Sequence, residues 1–181
     1  MVQYNACTGS FAESGITYNG SMNVLKNVLG NEYLWNNVRV KGGAYGCMSG
    51  FGRDGDCYMV SYLDPKLAET NEVYDKLPEY LEQFDQDERS MDRYVIGAIS
   101  EMDIPKNPAA LGVRGLTAYL SGITREQLQK ERDEVIDTDA KEIRALVPYA
   151  KAVLSNNCLC VVGNENKIKE NSSLFTTVRS L

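Results

Sequence analysis

Nine residues, Val38 to Gly46 (VRVKGGAYG), set a guanidinium, an ammonium and a phenol among three glycines. Arg39 offers a planar fork of N–H donors, Lys41 a point charge, and Tyr45 a hydroxyl that donates or accepts. Such groups suit the binding of a carbonyl or an anion, and the support of negative charge developing on an oxygen. A phosphate cradle fits poorly, because that motif runs Gly-x-x-x-x-Gly-Lys-Ser/Thr into a helix. Here Lys41 precedes its glycines, and the flanking runs look extended. Two readings stay open on the residues alone. The glycines could bend or bulge a strand. Alternatively, Gly42 and Gly43 clear a surface for an extended peptide, with Arg39 and Tyr45 beside its carbonyls.

Other chemistry is excluded more firmly. The 181 residues contain no histidine. Ser-His-Asp, Cys-His and imidazole-held zinc are therefore unavailable within this chain. No metal-ligand spacing is visible, so no metal or other cofactor is expected in it. Five cysteines, at positions 7, 47, 57, 158 and 160, form no disulfide framework. They read as reduced, buried thiols, which suits a reducing compartment such as cytoplasm or an organelle matrix. The net charge is −6, with scattered Lys and Arg, which argues against a nucleic-acid partner. No apolar run approaches the roughly 20 residues of a membrane span, so no membrane partner is expected.

The elements that must carry these residues read as follows. Val2 to Phe11 is a strand. Met22, Leu25, Val28, Leu29 and Leu34 keep helical spacing, with Ser21 as a cap. Val38 to Phe51 reads as an extended segment loosened by glycines, joined through the turn Gly52–Asp56 to a strand at Cys57–Leu63. Asp64–Pro65 opens a helix that Pro78 should split. Helices follow at Ser90–Met102, Pro108–Leu120 and, behind the capping-box spacing of Thr124 and Gln127, to Ile136. The last of these carries mostly charged residues and reads as a solvated face. Thr138 caps a further helix toward Leu154. Cys158–Gly163 reads as a short buried strand, NENKIKEN as a short helix and LFTTVRS as a final strand. This order predicts an α+β domain, with a largely antiparallel sheet covered by helices.

YLWNNVRVKGGAYG (Tyr33 to Gly46) resembles the C-terminal region of the pitrilysin/insulinase family of zinc peptidases, and most closely its presequence-protease branch. SYLDPKLAETNEVYDKLPEYL and AYLSGITREQLQKERDEVIDT resemble later segments of that branch in the same order. The resemblance implies a substrate-binding domain of a metalloendopeptidase that degrades unstructured peptides. In that family two halves close around a chamber. The first half holds zinc on a His-x-x-Glu-His motif, and the second supplies an Arg and a Tyr toward substrate and transition state. By motif match these are Arg39 and Tyr45, with Gly42 and Gly43 beside them, and Trp35 is expected in core or interface packing.

Together with the missing histidines, the resemblance implies that residues 1–181 form one non-metal C-terminal domain, either whole or truncated at its N-terminal side. This chain alone should not hydrolyse peptides. Its expected partners are the N-terminal catalytic half, which would bear the zinc, and an extended peptide. The alternative is a non-catalytic structural or assembly domain of the processing-peptidase type. A stand-alone module binding peptides at a sheet edge is a third class.

Overall fold

The computed structural model describes residues 1–180. Four strands form one antiparallel sheet: β1 (Gln3–Ser10), β2 (Gly46–Phe51), β3 (Asp56–Asp64) and β4 (Cys158–Val162), in spatial order β2-β3-β1-β4. Helix α1 (Ser21–Val28) precedes β2. After β3 come α2 (Ala68–Asp75), α3 (Leu77–Glu82), α4 (Glu88–Met102), α5 (Pro108–Leu120), α6 (Arg125–Ile136), α7 (Ala140–Arg144) and α8 (Val147–Ser155). Helix α9 (Glu165–Glu170) follows β4. The α+β architecture is the one the sequence predicts.

Strand periodicity sorts the side chains into two faces. Cys7, Cys57, Met59, Ser49 and Ser61 point into the core beneath the helices, where Phe11, Met22, Leu25, Leu29, Tyr74, Leu81 and Ile143 are fully enclosed. The other face is left open to solvent among the described residues, with Tyr4, Met48, Tyr58 and Val162 all exposed. Three cross-strand rows lie there: Gly46–Tyr62, continuing to Tyr4–Val162; Met48–Val60–Ala6–Cys160; and Gly50–Tyr58–Thr8–Cys158. No residue in these rows is charged.

Many sequence boundaries hold. The hairpin turns at Gly52–Gly55, Pro78 enters the first turn of α3, and the Thr124–Gln127 capping box opens α6. Several do not. The segment after Val38 is not extended: the helical path begun in α1 continues as π-helical turns over Leu29–Tyr33 and Trp35–Val40, and only Gly46 onward is strand. Ser21 does not cap α1; Asn19 accepts from its backbone N–H at 2.8 Å. Asp64 caps no helix either, because α2 begins four residues later and the Asp64 carboxylate is consumed by other donors.

Further along, Thr138 spends its hydroxyl on the Glu134 carbonyl, and Asp139 caps α7 instead. The expected helix to Leu154 then breaks before Pro148, whose ring cannot sit inside a helix. Strand β4 is an exposed edge rather than a buried strand, so Cys158 and Cys160 are exposed, unlike Cys7 and Cys57. Ser172–Leu174 is a single 3₁₀ turn, and Phe175–Ser180 pairs with no strand. The charged α6 is not wholly solvated: Glu131 is buried and takes both Nε and Nη2 of Arg53, at 2.6 and 2.5 Å.

Candidate functional site

The glycine run ends a helix. Gly43 N–H donates to the Arg39 carbonyl at 2.9 Å, and Ala44 N–H to the Val38 carbonyl at 3.1 Å. This is a glycine C-cap widened by one residue, as a π-helical end requires. Gly43 has φ +85°, the left-handed conformation that stops the helix. At Gly42 a Cβ would stand 2.3 Å from the Val38 carbonyl oxygen. Both glycines thus shape the turn between Arg39 and Tyr45. Lys41 is exposed and reaches back to the Asn37 side chain at 3.2 Å.

The π-helical turns bring Trp35 and Arg39 onto one side. The guanidinium carbon lies 4.5 Å from the Trp35 ring centroid and 5.6 Å from that of Tyr45. Tyr45 in turn meets Tyr62 edge-on, with centroids 5.7 Å apart. Arg39 is thus held in an aromatic bracket by cation–π attraction. Among the described residues it has no carboxylate within ion-pairing distance and spends no N–H on the protein. Tyr45 is 63% exposed, and Trp35, expected in packing, is 42% exposed. The guanidinium also acts inward, opposing the burial that raises the Cys47 thiol above its usual range.

A second layer holds Tyr45 in place. Its N–H donates to the Leu63 carbonyl at 3.4 Å, and Leu63 itself has φ +46°. The next residue, Asp64, is fully buried and accepts from Asn5 Nδ2 (3.0 Å), Ser61 Oγ (2.6 Å), Thr70 Oγ1 (2.8 Å) and the Lys66 N–H (2.9 Å). Four donors around one carboxylate satisfy a charge that would otherwise be costly to bury. Pro65 packs against Gly43, its Cγ 3.4 Å from where a Cβ would stand. The corner after β3 therefore grips the loop that carries Tyr45 from two sides.

The structure brings Arg39 and Tyr45 together at one end of the uncovered sheet face, with Gly42 and Gly43 in the turn between them. That face begins at Tyr45 and Tyr62 and continues over Met48, Tyr58 and Tyr4. Tyr62 and Tyr58 lie over Gly46 and Gly50 of edge strand β2, where a Cβ would meet the rings at 2.4 and 2.5 Å. Aromatic rings thus cover the edge glycines and make a smooth apolar wall. The sequence signal for the wall was the alternation Tyr58, Val60, Tyr62. The signal for Trp35 as a platform was its four-residue spacing from Arg39, hidden while Val38 onward was read as strand. Among the described residues, no group of three Cys, Asp, Glu or His side chains could hold a metal ion.

Comparison with known proteins bears on this arrangement. The profile of the PreP C-terminal domain matches residues 1–163. Protein HypA of Clostridium perfringens is 46% identical over 180 residues, covering 99% of this chain but 18% of that protein. Presequence protease 1, chloroplastic/mitochondrial, of Arabidopsis thaliana is 30% identical over 186 residues, covering 100% of this chain and 17% of its own length. The chain thus spans less than a fifth of these curated relatives. Two solved structures share the fold. A peptidase M16 inactive domain from Pseudomonas fluorescens superposes with a TM-score of 0.60 at 16% identity, over 90% of this chain and 40% of that one. A protease from Helicobacter pylori gives 0.60 at 15% identity, over 89% and 40%.

Proposed function

The chain belongs to the PreP C-terminal domain family, the presequence-protease type of C-terminal domain, and from that premise we propose that it is the substrate-holding wall of a peptidase chamber. Zinc and its ligands would lie in the N-terminal half of the parent polypeptide; among the described residues of this chain no side-chain group could hold a metal. An extended, unstructured peptide would lie along the uncovered sheet face, with its carbonyls toward Arg39 and Tyr45.

The observation that carries this reading is the bracketed Arg39, with its unspent N–H groups, at the head of an uncharged, uncovered sheet face. Trp35 and Tyr45 limit the guanidinium's rotamers, so less ordering remains to be done when a carbonyl binds. The guanidinium N–H groups and the Tyr45 hydroxyl are donors suited to a carbonyl oxygen in the ground state. They suit it better as negative charge builds there. The face itself contributes apolar area and no charge, so it selects for chain extension rather than for a charge pattern.

The test is cleavage of an unstructured fluorogenic peptide by the full-length protease carrying Arg39→Ala. The reading predicts a fall in kcat/KM of about a hundredfold, the usual scale for one lost oxyanion donor. An unchanged rate in a folded variant would remove Arg39 from the site.

A further inference from the structure

Helix α5 is largely apolar and yet unburied. A helix on a globular surface turns its apolar stripe to the core and its polar side to water. In α5 the half-buried residues are Ala110 and Ala118, and the exposed Arg114 and Thr117 border clefts against the domain. Arg114 lines a cleft of about 770 Å³ with Tyr18 and Arg53, and Thr117 lines an adjoining one of about 680 Å³. Helical geometry of 3.6 residues per turn puts Leu116 and Tyr119 on the opposite side, and Leu120 on the flank beside Thr117. They are 58%, 81% and 74% exposed. No residue of the helix is buried. Gly112 and Gly115 lie on that outer side too, with no atom within 4 Å of where a Cβ would stand. Arg114 is the single charge in the thirteen residues, and it lines the cleft it shares with Tyr18 and Arg53.

We propose that the outer face of α5 is a docking surface, and that its occupant is an apolar surface from the remainder of the same polypeptide. This rests on the reading of the chain as one section of a longer protease. Three observations favour that occupant. More than four-fifths of the curated relatives' length lies outside the region they share with this chain. The outer face carries no charge, so it complements an apolar partner and gives a polar one nothing to pair with. A helix of this length spans about 20 Å, and half its surface falls well short of the roughly 800 Å² per partner of a stable complex between free proteins. A second copy would have to meet that requirement from solution. A tethered segment instead docks at a high effective concentration. The two glycines let a partner backbone approach closely.

Hydrogen-exchange mass spectrometry tests this. Peptides covering residues 111–120 are followed in the 181-residue chain and in the same chain joined to the remainder of the protease. The proposal predicts exchange at least about tenfold slower in the joined protein, and loss of that difference on Leu116→Glu but not on Leu116→Met. Equal exchange in the two proteins overturns it. Sedimentation of the 181-residue chain supplies the other arm. A monomer at tens of micromolar is expected, and a dimer dissolved by Leu116→Glu would assign the face to a second copy and overturn the proposal. These readouts do not involve peptide cleavage, so their failure leaves the assignment of Arg39 and Tyr45 standing.

Discussion

The guanidinium of Arg39 lies over the ring of Trp35, four residues earlier on the same π-helical path, at 4.5 Å from the centroid. A π-helical turn is uncommon and tends to occur where function re-aims a side chain. Here it sets the guanidinium on an aromatic platform beside Tyr45.

Trp35→Ala should therefore act through Arg39. Loss of the platform removes a cation–π contact of roughly 1 kcal/mol and frees the guanidinium. In the full-length protease we expect kcat to fall about fivefold to tenfold with the fold intact, and Trp35→Phe to restore most of it. Steady-state kinetics on an unstructured peptide, with thermal melting as the folding control, would check this. Equal rates for wild type and Trp35→Ala would show that the stacking positions nothing.

Asp64 is the stability centre of the corner behind Tyr45. Asp64→Ala strands the Asn5, Ser61 and Thr70 donors and the Lys66 N–H in a buried site. The expected cost is about 3 kcal/mol, or a fall in Tm of roughly 6–12 °C for a domain of this size. Differential scanning calorimetry measures it. A shift under 2 °C would mean that the carboxylate is dispensable.

The cysteines should separate by burial. Burial pushes Cys7 up to about 11 and Cys57 up to about 12. These thiols ionise more readily in the unfolded chain. Their contribution to stability is therefore complete below about pH 9, the ordinary thiol range, and is lost as pH rises through 11 to 12. Urea midpoints measured from pH 8 to 11 should fall on the alkaline side. At pH 8, a thiol-reactive dye should label Cys158 and Cys160 in the native chain, and Cys7 and Cys57 only after denaturation. Fast native labelling of Cys57 would contradict the packing described above.

Arg53 and Glu131 join the hairpin turn to α6 by a two-pronged pair. Glu131 is enclosed, while the Arg53 side chain is about half exposed. Glu131→Ala should cost about 1–2 kcal/mol, less than a fully buried pair would, because solvent screens the guanidinium. Urea denaturation of the variant against wild type checks this, and Glu131→Gln should recover part of the loss.

The legible part of the fold was whatever rests on local patterning. Thr124 caps its helix through short-range hydrogen bonds, and Pro78 splits its helix through ring geometry. Less legible was whatever tertiary contacts decide. Asp64–Pro65 has the local chemistry of a helix start, yet Asn5, Ser61 and Thr70 claim the carboxylate across the sheet. Cys158–Val162 has the composition of a buried strand, but pairs on one side only and sits at an edge. Arg39 and Tyr45 were singled out by their motif, but the motif's glycines read as strand residues because π-helical continuation leaves no distinct period in sequence. The exposure of α5 was hidden for another reason: periodicity finds apolar positions but not whether the domain covers them.

The central claim is that Arg39 and Tyr45 act on one oxygen of the substrate. Its most direct test is a double-mutant cycle in the full-length protease, with Arg39→Ala, Tyr45→Phe and both together, read as kcat/KM on an unstructured peptide. Groups serving one oxygen are strongly non-additive. The account predicts a loss of about tenfold to a hundredfold for each single change and little further loss in the double variant. Wild-type rates in all three folded variants would contradict it.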